Sequence, residues 1–120
     1  MSRSIISKEL LADAQALAKN ATEYSNSRAF HDCDGTACLK IISTAGSITV
    51  TQQCSLDDKT WYDPETSAGA AGAVEDTITV TTGRYLSFTP VLAPFVRFKV
   101  VEGDVAATAF SLELAYRVEV

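Results

Sequence analysis

What this chain does without narrows its possible functions before any motif is weighed. It has no apolar run long enough to cross a bilayer as a helix. Its first residues, MSRSIISKELLADAQALAKN, lack the unbroken apolar segment of a secretory signal, because Glu9 and Asp13 fall where that segment would lie. The expectation is a chain made and kept in a cytoplasm, where thiols stay reduced. Positive charge is scarce: ten Lys and Arg stand against fifteen Asp and Glu, for a formal charge of −5. The cations are scattered singly, so a phosphate backbone or an anionic membrane would meet no basic face. Neither nucleic acid nor membrane is expected as a partner.

Histidine is nearly missing too. A Ser-His-Asp triad would need His31, the sole histidine, and no nucleophile elbow is present. The small-residue run AGAAG (68–72) is not followed by the Lys-Ser/Thr of a phosphate-binding loop. The three cysteines, Cys33, Cys38 and Cys54, are odd in number and cannot close a wholly intramolecular disulfide set. With His31, the stretch HDCDGTAC invites a zinc reading, but zinc sites favour two Cys pairs or a Cys pair with a His pair. The plain reading is small buried or half-buried thiols. DCDG resembles the start of a calcium loop, yet the twelfth position, counting Asp32 as the first, is Ser43, not Glu. No cofactor or metal is expected.

What is present is alternation. With 120 residues, 47% of them apolar, the chain suits one folded domain with one core. CLKIIS (38–43) reads as a short strand. In SITVTQQCSL (47–56), Ile48, Val50, Gln52 and Cys54 share one face. DTITVTTG (76–83) alternates again, with Ile78 and Val80 inward. In APFVRFKVVEG (93–103), Val96, Phe98 and Val100 oppose Phe95, Arg97, Lys99 and Val101. The last segment places Phe110, Leu112, Leu114, Tyr116 and Val118 together, and such a strand suits either the centre or an edge of a sheet. Six to eight strands joined by Gly/Ser/Asp/Pro turns predict an all-β domain, a single β-sandwich or jelly-roll-like fold, over 31–120. Residues 65–76, rich in Ala and Gly, read as a loop. Residues 1–30 are expected to form an N-terminal arm or short helix, either separate from the domain or part of it: SKELLADAQALAKN is rich in helix formers and sets Leu10, Leu11, Ala14 and Leu17 on one face, although ADAQALA also alternates like a strand.

The stretch SLDDKTWYDPE (55–65) concentrates Trp61, Tyr62 and several acids. The plain reading is a hairpin: Asp57-Asp58-Lys59 turns the chain, Trp61 packs back on the sheet and Pro64 ends the pairing. The alternative is a carbohydrate-binding platform, with Trp61 and Tyr62 stacking on a sugar and Asp57, Asp58 and Asp63 holding its hydroxyls. Adjacent strand residues point to opposite faces, which opposes one flat platform. Asp57, Asp58, Asp63 and Glu65 also permit a glycosidase-like carboxylate pair, but acids at a turn more commonly form a solvated tip. An enzyme is not expected.

Three stretches, SITVTQQCSLDDKTWYDP, ITVTTGRYLSFTPVLAPFVRFKVVE and AATAFSLELAYR, resemble small β-rich proteins encoded among tailed-phage and prophage structural genes. The resemblance spans roughly residues 40–118. The chain departs from that pattern at Cys54 and at Asp58-Lys59, where a Gly would suit a tight turn. The resemblance implies a non-enzymatic head-decoration or accessory virion protein, assembled in the host cytoplasm. Its implied partners are copies of itself and other virion proteins, with no active site to carry over. Trp61, Tyr62, Tyr85, Leu92 and Phe95 are the candidate interaction surface, with completion of the core as the plain alternative for the apolar ones.

Overall fold

The computed structural model describes residues 4–29, 36–45, 47–64, 75–78, 84–103 and 105–119. Among them it contains nine strands and no helix: β1 (Ser4–Leu17), β2 (Thr22–Tyr24), β3 (Arg28–Ala29), β4 (Ala37–Ser43), β5 (Ile48–Ser55), β6 (Glu75–Ile78), β7 (Arg84–Phe88), β8 (Phe95–Glu102) and β9 (Thr108–Glu119). They build two antiparallel sheets. The first has the order β1-β9-β4-β7 and the second β2-β8-β5-β6, with β3 also pairing along β8. The fold is a β-sandwich.

The alternating pattern explains the packing directly. On β9, Phe110, Leu112 and Leu114 are fully buried and Tyr116 nearly so. On β8, Val96, Phe98 and Val100 point the same way into the core, and Ile48, Val50 and Gln52 do so from β5. β4 adds Ala37, Leu39 and Ile41. These inner faces meet between the sheets, with Phe88 standing edge-on to Phe98 at 6.1 Å and 84°. Each buried Leu, Ile or Phe contributes roughly 1.5–3 kcal/mol. The long last strand takes the central option, between β1 and β4.

The helix expected from SKELLADAQALAKN is a strand. Helix propensities separate most residues by only about 0.7 kcal/mol at most, less than a ladder and a core can supply. The apolar face expected of a helix divides: Leu11 and Leu17 are buried while Leu10 is 52% exposed. Clean alternation fails because the β1–β9 register shifts between Leu10 and Ala12, and again between Ala12 and Gln15. At the second shift Ala14 takes φ 49° and donates its N–H to Ser111 Oγ at 2.9 Å. The two shortest strands, β2 and β3, were not readable from the sequence, being too brief to show a period. The loop expected over 65–76 is overturned at its end, where Glu75 and Asp76 pair with Thr51 and Val50 as the start of β6; its remainder, the inward placement of Ile78 and Val80, and His31 and Cys33 of the zinc reading lie outside the described side chains.

Polar groups inside the sandwich are spent on backbone. Gln52, fully buried, accepts from Val91 N and donates to Val91 O, both at 3.1 Å, so its amide stands in for a strand neighbour. Glu102, 1% exposed, accepts N–H bonds from Asn20, Val105 and Ala106 and ties two loops together.

Candidate functional site

The hairpin predicted at residues 55–65 forms over 55–64, and Asp57 and Asp63 are bound locally, while Glu65 lies outside the described residues. Asp57 Oδ1 accepts the N–H groups of Lys59 and Thr60, each at 2.9 Å, and the Ser55 hydroxyl at 3.0 Å. These bonds, those of Thr60 and Lys59 foremost, hold the Asp57 carboxyl below the ordinary aspartate range. Asp58 sits at φ 61°, the left-handed conformation for which a Gly seemed suited and which Asp tolerates. The return strand makes one bridge: Cys54 and Tyr62 exchange N–H···O bonds at 2.9 Å.

Trp61 and Tyr62 therefore leave the chain on opposite sides. Trp61 lies against the outer face of the second sheet, where the Arg97 guanidinium is 4.5 Å from its ring centre and 4.0 Å from that of Tyr24. Arg97 is thus held between two aromatic faces. Its Nε donates to Gln53 Oε1 at 2.8 Å, Gln53 Nε2 donates to Asp63 Oδ1 at 2.9 Å, and Lys99 Nζ meets Asp63 Oδ2 at 2.9 Å. The Gln53 bond, followed by Lys99, holds the Asp63 carboxyl low. Tyr24, Gln53, Arg97 and Lys99 were not singled out from the sequence. The visible signal was the polar face of APFVRFKVVEG, and only the register that sets Gln53 opposite Arg97 turns it into a cluster. The flat Trp61–Tyr62 platform is not formed, and Asp57 and Asp63 sit in separate networks.

Tyr62, 63% exposed, joins Leu56 (80%) and Leu92 (96%) beside Cys54, Ser55 and Ala93 around a shallow depression of about 120 Å³. The Gln52–Val91 pair fixes this rim, placing Ala93 in the core and Leu92 in solvent. Burial raises the pKa of the neighbouring Cys54 thiol, opposed by its contact with Gln52 Nε2. Phe95 is half-buried, opposite Ser55 and Ala29. Of the five candidate residues, only Tyr62 and Leu92 come together.

Tyr85 lies elsewhere, 66% exposed on the outer face of the first sheet. It shares a second depression, about 230 Å³, with Ile6, Thr36, Cys38, Ala115, Tyr116 and Arg117. A hydrogen bond with the Cys38 thiol raises its phenol pKa. This face carries Ile6, Leu10, Ile42 and Cys38 between Lys8, Lys40, Glu113 and Arg117. The outer face of the second sheet, by contrast, presents Thr49, Thr51, Gln53, Arg97 and Lys99. No cluster of three or more metal-binding side chains occurs among the described residues.

No protein-family model and no curated protein sequence matches the chain. Its fold is similar to a subunit from the solved structure "Bacillus endospore appendages form a novel family of disulfide-linked pili", with TM-score 0.55 and 8% identity over 98% of this chain and 89% of that one. A second structure, "Crystal structure of PirA", aligns at TM-score 0.48 and 11% identity over 97% of this chain and 92% of that one. At these identities the likeness describes the fold alone.

Proposed function

We propose that this chain is a non-enzymatic structural subunit that associates with copies of itself to build a repeated assembly. One observation carries the reading. Two of the acids that resembled a reactive group, Asp57 and Asp63, are bound into a turn and a surface network, while Leu56, Tyr62 and Leu92 stand in solvent. Exposed large apolar side chains gathered on one rim suit a contact with another protein surface. The likeness to a subunit of pili supports a building role. The resemblance across residues 40–118 supports a virion as the setting, with capsid proteins as further partners. Binding of glycan by Trp61 loses ground because one indole face is already occupied by Arg97.

Light scattering after size exclusion, with electron microscopy of the same fractions, tests the proposal. A defined oligomer or polymer, or binding to purified capsids, is expected. A monomer at high concentration that also ignores capsids overturns it.

A further inference from the structure

We propose that residues 4–10 form an exchangeable arm that leaves β9 of its own chain and pairs with β9 of a second copy in the same register. This rests on the self-association reading above and adds a second contact between copies to the one at the rim.

The first strand is two different objects. Its C-terminal part brings Leu11, Ala12 and Leu17 into the core. It is also fastened to the second sheet, through Asn26 N to Leu11 O at 3.0 Å and Gln15 Nε2 to Tyr24 O at 3.1 Å. Over residues 6–10 the pattern reverses. The apolar residues Ile6 and Leu10 point outward, 77% and 52% exposed, and the inward positions are Ser7 and Glu9. No side chain from residues 6–10 belongs to the hydrophobic core. Among its described side chains, the arm adds the Glu9–Arg28 ion pair to its ladder, and Arg28 in turn stacks on Tyr116 at 4.2 Å.

The two parts meet at a break. Pairing runs without interruption from Ser4 opposite Glu119 to Leu10 opposite Glu113, and the shifts begin immediately afterwards. Opening the arm therefore stops at the irregularity and leaves the core residues beyond it in place, as expected of a local opening unit. The left-handed Ala14 lies within the same junction.

The vacated edge of β9 names its own occupant. The strand that fits it in register, and that supplies a Glu to Arg28, is residues 4–10 of this same sequence. A second copy restores every contact that the first gave up, so exchange exacts little beyond the cost of association. Any other extended peptide would lack that match.

The test uses full-length chains in which Cys33, Cys38 and Cys54 are replaced by Ser. One preparation carries Lys8→Cys and the other Ala115→Cys, positions that face each other in the ladder. The two are mixed under native conditions, oxidised, and the linked peptides identified by mass. Arm exchange predicts an interchain Lys8–Ala115 link at least about tenfold above a control pairing Lys8→Cys with Thr51→Cys, because register raises the effective thiol concentration. Oligomers that show no such excess overturn the arm and leave self-association standing. Monomers alone overturn both. Ser7→Pro, which removes the donor facing Tyr116 across the ladder, is the second variant. It should unfold as cooperatively as the parent and lose assembly. Retained assembly, or loss of the fold, overturns the arm.

Discussion

At the scale of single residues, the side chains that matter most are polar ones doing the work of backbone. Gln52 completes both hydrogen bonds of Val91 from inside the core. Gln52→Ala should cost about 2–4 kcal/mol, through two unsatisfied backbone groups and a cavity. Urea unfolding measures it, and a loss under about 1 kcal/mol would mean that the loop is anchored by something else. Ala14 gives the opposite case. Its φ of 49° is costly for any residue with a Cβ. Ala14→Gly should therefore raise stability by about 0.5–1 kcal/mol, the relief of strain exceeding the entropy that glycine adds to the unfolded chain. A drop in the same denaturation experiment would show that the left-handed turn is unstrained. Residue types alone revealed neither role. Gln52 was correctly placed on the inner face of its strand by alternation, but its partner comes from a loop thirty-nine positions away.

At the scale of elements, the alternating runs in β4, β5, β8 and β9 were legible because one face of each is buried, which imprints period two on the sequence. The first strand was not, since two register shifts scramble the period and its Ala, Leu and Lys content favours a helix in isolation. The hairpin at 55–65 was legible in outline. Its charge network was not, because Arg97 and Tyr24 reach Trp61 from other strands. This hairpin should respond to acid. Asp57 and Asp63 have folded pKa values depressed by the hydrogen bonds they accept. Their contribution is therefore complete above the unfolded aspartate value of about 3.9, and is lost as pH falls through the lower folded values. Emission from Trp61 should change in that acid range and remain flat from neutral pH down to about 5. Asp63→Asn should reduce the change. A transition centred near neutrality would contradict the assignment.

At the scale of the whole molecule, Leu56, Tyr62 and Leu92 stand together in solvent on one rim of the sandwich, an apolar surface of the kind that meets another protein. Leu92 offers a direct check, being 96% exposed on a loop pinned from beneath. Leu92→Asp should leave the unfolding free energy within about 0.5 kcal/mol of the parent, as surface changes usually do. In light scattering it should weaken self-association by about tenfold or more if the rim is a central contact. Unchanged assembly would move the contact to another face. The two sheets also turn chemically unlike sides outward: threonines and a cation–aromatic stack on one, isoleucine, leucine, tyrosine and a thiol on the other. A wall tiled with such subunits in one orientation would have an inside and an outside, wetted differently and open to different reagents, without any second kind of protein to tell them apart.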